Sequence, residues 1–221
     1  MELKQAILER RSIRGYKEDP VSKEIIEDIL KVATRAVSAN NTQPWEFAVI
    51  TGDIMKKIGE DNVARLEAGE EMDNGEEPFS GVYRTRQVGI GKALLGAMEI
   101  AREDRERRNW WGQRGFRFFD APCAILIYVD DSLNYSDARL DVGCVIQNIC
   151  LYAMEHGLGT CVENQAVMYE KGLRQYLDVP ENKKYVTGIA IGYPDYDFPA
   201  NNVISTRDPI EENTKWYGFE E

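Results

Sequence analysis

The spacing of apolar positions changes several times along this chain, and each change marks a predicted element. Leu3, Ala6 and Ile7 recur at helical spacing and predict a short helix that delivers the next residues at a helix end or turn, before Gly15 breaks the run. Ser22 is an N-cap candidate for a second helix, where Ile25, Ile26, Ile29, Leu30, Ala33 and Ala36 form one stripe opposite Glu24, Glu27, Asp28 and Lys31. A polar loop over 38–45, closed by Pro44 and Trp45, leads into a strand over 46–51. Residues 92–108 carry Ala93, Leu94, Ala97, Met98 and Ala101 on one side and then alternate in charge, predicting a helix that ends in solvent. The unbroken apolar run 123–129 reads as a central strand covered on both faces. Over 139–155 apolar residues cover most of a helical circumference, so that helix is buried, at the domain centre or in a subunit interface. A turn at Gly157 leads into a short strand through Val162, a helix follows near 168–177 until Pro180 ends it, and 185–192 is a further strand.

Two stretches resist this pattern. Residues 67–78 are acidic and poor in apolar side chains, so they read as an exposed excursion rather than core. The aromatic group Trp110, Trp111, Phe116, Phe118 and Phe119 follows, as core packing or as a lid over a site. The 221 residues suffice for one large domain or two small ones, with a core that needs no metal or crosslink.

Charge narrows the function. Lys and Arg number 27 against 38 Asp and Glu, a formal charge of -11, which opposes nucleic-acid and anionic-membrane binding because both need an electropositive face. Small molecules or proteins are the expected partners. With no apolar signal core at the N-terminus and no run near a bilayer's span, the chain reads as soluble and cytoplasmic. Cys123, Cys144, Cys150 and Cys161 lie in apolar segments without metal-site spacing and read as buried free thiols. The single histidine, His156, precedes Gly157 at a helix end, where a cation suits the dipole better than a catalytic role suits the context.

Against this acidic background stands the stretch 10–17, with Arg10, Arg11, Arg14, Lys17 and the hydroxyl of Ser12. An acidic chain repels anions at long range, so clustered arginines suit one anion held at close quarters, with a phosphate ester as the natural candidate. A solvated helix end is the alternative, and the stretch alone does not separate the two. The amides and hydroxyls of 38–45 beside Trp45 would suit the rim of a heteroaromatic ligand, or a plain connection.

Three separated motifs resemble the FMN-dependent nitroreductase family: Arg10-Arg11-Ser12-Ile13-Arg14, Ser38-x-x-Asn41-Thr42-Gln43-Pro44-Trp45, and Arg207-x-Pro209. Phe118-Phe119-Asp120-Ala121-Pro122, Gln147-Asn148-Ile149 and Gly157-Leu158-x-Thr160-Cys161 look most like its nitrobenzoate-reductase-like branch. The resemblance implies an α+β fold whose mixed, mainly antiparallel sheet is flanked by helices, as a single domain over 1–221 with a variable insertion at about 53–120 that forms a helical or loop lid. The residues alone reach only mixed α and β. It further implies a homodimer with shared FMN sites and NADH or NADPH as electron donor. By position, Arg10, Ser12 and Arg207 would hold the FMN phosphate, with Arg11 near it and Arg14 towards the ring. Ser38, Ala39 and Asn41 would come from the partner subunit, while Val162, Glu163, Asn164 and Gln165 would lie along one flavin face, the Asn164 backbone N–H towards N5. The departures are Val37 where many members have Pro, Ala39 where some have a second hydroxyl, and Ser205 where some have Lys; they imply fewer polar contacts to the flavin.

The implied activity is hydride transfer from NAD(P)H to nitroaromatic, quinone or related small acceptors by a ping-pong mechanism, with the flavin and not a side chain doing the chemistry. The alternative is a flavin-binding protein of the same fold with another outcome: reductive dehalogenation, flavin fragmentation or no turnover. A thiol mechanism through Cys161 lacks a paired base.

Overall fold

The computed structural model describes residues 1–75 and 78–219, so Glu76 and Glu77 of the acidic stretch lie outside the described residues. In chain order the elements are α1 (Leu3–Glu9), α2 (Lys23–Ala33), β1 (Glu46–Thr51), α3 (Gly52–Ala68), α4 (Gly81–Ala97), α5 (Arg105–Gln113), β2 (Cys123–Asp130), α6 (Tyr135–Tyr152), β3 (Gly159–Glu163), α7 (Glu170–Leu173), β4 (Lys183–Gly192) and α8 (Ile210–Asn213). The strands form one sheet in the order β1-β2-β4-β3, and every named pair is antiparallel. Its parallel component is a single bridge, Ser12 to Thr160, which lays the arginine stretch along the outer edge of β3.

The alternation of the central strands explains why they read as continuous apolar runs. Cys123, Ile125, Ile127 and Val129 of β2 and Ile189 and Ile191 of β4 face one core, closed by Ile26, Ile29 and Ala33 of α2 and Val142, Val145 and Ile149 of α6. Ala124, Leu126 and Ala190 face a second core with Met55 and Ile58 of α3, Phe118, Phe119 and Leu173. Each fully buried Ile, Leu or Phe contributes about 1.5–3 kcal/mol, so a sheet walled on both sides dominates stability. The predicted N-cap of α2 is present, Ser22 Oγ accepting from the Ile25 amide at 3.4 Å.

Three elements differ from the sequence expectation. The helix expected over 92–108 is two helices, α4 and α5, because Glu99 adopts φ 52 and closes α4 in a Schellman motif. The Ile100 amide donates to Leu95 O at 2.9 Å and the Glu99 amide to Gly96 O at 3.0 Å, while Ile100 is buried beneath the turn. Asp104 then caps α5 by accepting from the Arg107 amide at 3.0 Å. The helix expected near 168–177 is only α7 followed by turns. The helix expected over 139–155 is α6, which starts earlier because Asn134 caps it, and one face is open, with Leu140 72% exposed.

The aromatic group divides. Phe116, Phe118 and Phe119 are core, while Trp111 stacks on Phe198 with centroids 6.5 Å apart and Trp110 is exposed. Phe118, Phe119 and Asp120 are consecutively left-handed, at φ 56, 53 and 57, a conformation costing about 1–2 kcal/mol per residue. The buried Arg114 over-determines that turn: its guanidinium donates to Phe119 O at 2.9 Å and pairs with Asp120 at 2.9 Å, and its carbonyl accepts from the Phe119 amide at 2.7 Å. Among the described residues of 67–78, Asp73 and Asn74 tie the excursion to α7, through Lys171 and Glu170.

Candidate functional site

The arginine stretch is placed by backbone, not by its own charges. The Ile13 amide donates to Thr160 O on β3 at 2.9 Å, an approach that Gly159 permits, because a Cβ there would lie 2.4 Å from the Ile13 side chain. Asn201 grips the next peptides: its Oδ1 accepts from the amides of Arg14 at 2.6 Å and Gly15 at 3.1 Å, and its Nδ2 donates to Gly15 O and Asp195 O, both at 2.7 Å. Arg114 closes the other side by donating to Arg14 O at 2.8 Å. Asn201 and Arg114 were not among the residues singled out from sequence. Asn201 sits in an ordinary polar stretch, and only the left-handed turn after Arg114 marks its environment.

This scaffold aims Arg10 and Arg11 into a cavity of about 560 Å³, which Gly159 and Thr160 of β3, Cys150 and Met154 at the end of α6, and Ser205 and Arg207 of the tail also line. Arg207 is exposed but pre-oriented, its Nη1 donating to Ser205 Oγ and to Thr206 O at 2.9 Å each. Arg207 also borders a second cavity of about 870 Å³ under α4, walled by Phe79, Tyr83 and Ile90. Among the described residues no carboxylate pairs with Arg10, Arg11, Arg14 or Arg207, although acidic groups outnumber basic ones by 38 to 27. Cations left unpaired in an acidic protein are what an anion subsite requires. A cavity of about 730 Å³ beside α3 lacks that property, since its Arg117 already pairs with Asp120 at 3.0 Å.

The structure does not gather all the predicted residues. Ser12 bridges β3 beside the cavity, and Arg14 turns inward, with its guanidinium 5.9 Å from the Phe119 ring. Ser38, Ala39 and Asn41 do not line the cavity within this chain. Ser38 Oγ accepts from the Gln43 amide at 3.1 Å, the Ala39 amide donates to Asp141 at 3.1 Å, and Asn41 is left-handed at φ 58. At the end of β3, Val162 is 43% exposed and Glu163 is buried. Asn164 opens the following turn, its carbonyl accepting from the Val167 amide at 2.9 Å, and Gln165 donates to Gly112 O at 3.2 Å.

Burial controls the ionisable groups here. It pushes the Cys161 thiol up to about 12, which leaves no thiolate near neutral pH. Burial likewise raises Tyr16, whose hydroxyl donates to Ile13 O at 2.7 Å and Ala190 O at 3.2 Å. Glu163 lies well above the usual carboxylate range for the same reason, and Arg14 pulls it part of the way back. His156 sits 3.1 Å from Asp28 at the end of α6, outside the cavity. Among the described residues no group of His, Cys, Asp and Glu could hold a metal ion, and no helix is long and apolar enough to cross a membrane.

The antiparallel sheet walled by helices on both faces is shared with solved nitroreductase structures. The chain belongs to the nitroreductase family, whose model matches residues 7–193. It is 35% identical over 213 residues to the nitrobenzene nitroreductase of Ectopseudomonas oleovorans, covering 94% of this chain and 93% of that one. The crystal structure of the FMN and NADPH-dependent nitroreductase NfnB from sphigopyxis sp. strain HMH matches with a TM-score of 0.92 at 28% identity, over 99% of this chain and 100% of that one. The FMN-dependent nitroreductase NfnB from Mycobacterium smegmatis, in complex with NADPH, matches with a TM-score of 0.90 at 27% identity, over 97% of each chain.

Proposed function

We propose that the chain is an FMN-dependent oxidoreductase that passes hydride from NADH or NADPH to nitroaromatic, quinone or related small acceptors. The observation that carries this reading is the convergence of Arg10, Arg11 and Arg207, without carboxylate partners among the described residues, on one cavity beside the start of β3. Arg10, Ser12 and Arg207 would hold the FMN phosphate, with Arg11 beside it and Arg14 towards the ring. Val162, Glu163, Asn164 and Gln165 would lie along one face of the flavin. When bound, FMN supplies the redox chemistry, accepting hydride from the nicotinamide and returning it to the acceptor. The chain's own residues then bind, orient and set the local field.

The working unit in this reading is a homodimer with shared FMN sites, and Ser38, Ala39 and Asn41 serve the partner's site. That these three residues do not line the cavity within their own chain supports the assignment, as do the exposed apolar side chains of Leu8, Leu140 and Ile204, which need cover. Free thiols at Cys123, Cys144, Cys150 and Cys161 suit the reducing cytoplasm. The test is anaerobic: NADH or NADPH should bleach the flavin band of the yellow protein and a nitroaromatic should restore it. Double-reciprocal plots should be parallel. Intersecting lines, or a flavin that neither nucleotide reduces, would overturn the reading.

A further inference from the structure

Glu163 is the one buried carboxylate beside the proposed flavin face whose two oxygens are both sealed from solvent without a hydrogen-bond partner among the described residues. Strand alternation puts it there. Val162 faces out, whereas Cys161 and Glu163 point inward, and the Glu163 carbonyl is itself occupied by Thr187 Oγ1 at 3.1 Å. Ordinary packing would place a small apolar residue or a satisfied amide at such a position, because an ionised carboxylate without donors is costly to bury.

The surroundings limit what can answer a charge on Glu163. The arginine stretch presents Arg14 and Tyr16 and β3 presents Cys161; behind Tyr16 lie Cys150 of α6 and Arg114, the latter already paired with Asp120. Tyr16, Cys150 and Cys161 are all pushed upward by burial and stay neutral across the physiological range. Arg14 is therefore the single cation that counterbalances Glu163, and it makes no ion pair within 4.0 Å with any carboxylate of the described residues.

We infer that Glu163 is a positioning residue whose protonation is coupled to the redox state of the bound flavin through the shared charge of Arg14. This rests on the reading of the site as an FMN site. While the cofactor is oxidised and uncharged at its ring, an ionised Glu163 has Arg14 to itself. Reduction brings in two electrons and one proton as hydride from NAD(P)H and leaves one negative charge on the cofactor, so two anions then compete for one guanidinium. The carboxylate, which has no hydrogen-bond donors, takes a proton from water and becomes the neutral acid. Reoxidation by the acceptor returns that proton to water. The two-electron step thus takes up two protons in the window where Glu163 is ionised beside the oxidised cofactor and neutral beside the reduced one, and one proton outside it.

The test is the midpoint potential of the FMN-loaded full-length protein from about pH 5 to about pH 9, a range that covers documented buried glutamates. One proton per two electrons shifts the potential by about 30 mV for each tenfold change in proton concentration, and two protons by about 59 mV. The unmodified protein should show the steeper slope over at least one pH unit, a tenfold or larger change in the proton affinity of Glu163, while Glu163→Gln should follow the shallower slope there. A reduced-minus-oxidised infrared difference spectrum of the unmodified protein should gain a protonated-carboxyl band, which keeps the test independent of how the variant folds. A single shallow slope in the unmodified protein, the same bend in Glu163→Gln, or no gained carboxyl band overturns the inference and leaves the flavin reading intact. A protein that binds no FMN overturns both.

Discussion

The two ends of the cationic cavity are built in different ways. At one end Arg10 and Arg11 extend from a stretch whose backbone is bonded to β3 and to Asn201, over a fully packed sheet. At the other, Arg207 lies on an exposed tail held by bonds to its immediate neighbours and by the ion pair of Asp208 with Arg86 on α4. Both ends present cations to the same space, but only the first is positioned by the fold of this chain. The second rests on exposed local contacts, and in the proposed dimer the partner covers it.

The largest effect expected is on the cofactor. Arg10→Ala and Arg207→Ala should each strip FMN from the purified protein, since removing one hydrogen-bonded cation from a buried dianion typically costs about 2 to 5 kcal/mol. Flavin content read from the visible spectrum checks it, and full retention in both variants would mean the phosphate lies elsewhere. The comparison sharpens if the Arg207 variant alone recovers flavin at high FMN concentration.

Next is Asn201→Leu. It removes four hydrogen bonds from a side chain with no solvent exposure and leaves the Arg14 and Gly15 amides unsatisfied, at roughly 1–3 kcal/mol for each orphaned group, while Gly15 O keeps the Asp195 amide. Thermal unfolding should drop by several degrees, with flavin affinity falling alongside it. An unchanged melting temperature would show that the arginine stretch does not depend on this clamp.

Asp208→Asn should do far less to stability, below about 1 kcal/mol, because its pair with Arg86 is exposed on both sides. Its effect should appear instead in the salt dependence of flavin binding. Smallest of all is Cys161→Ser, which should keep its flavin and most of its turnover, since a thiol pushed up to about 12 supplies no nucleophile. A flavin-replete Cys161→Ser enzyme without activity would reinstate a thiol mechanism.

Periodicity and charge carried a good deal of this. The stripe of α2 with its Ser22 cap, the continuous runs of β2 and β4, and the isolation of Arg10, Arg11 and Arg14 in an acidic chain all follow from local spacing, because each depends on residues near one another in sequence. The split of α4 from α5 did not follow, since Glu99 occupies the left-handed position where glycine is the usual signal. Nor did the left-handed turn at Phe118, Phe119 and Asp120, which persists because a buried arginine and two core rings outweigh its local cost.

What tertiary structure alone decided is which distant groups meet. The order β1-β2-β4-β3 puts the N-terminal arginines against β3, and the chain must travel 187 residues before Asn201 returns to hold them. The burial of Glu163 beside Arg14 is of the same kind: the strand's alternation was readable, but which face would be sealed depended on the packed chain around it. Local sequence sets conformational preference and charge through interactions a few residues long, whereas desolvation and the pairing of buried groups arise only once the packed chain has excluded water.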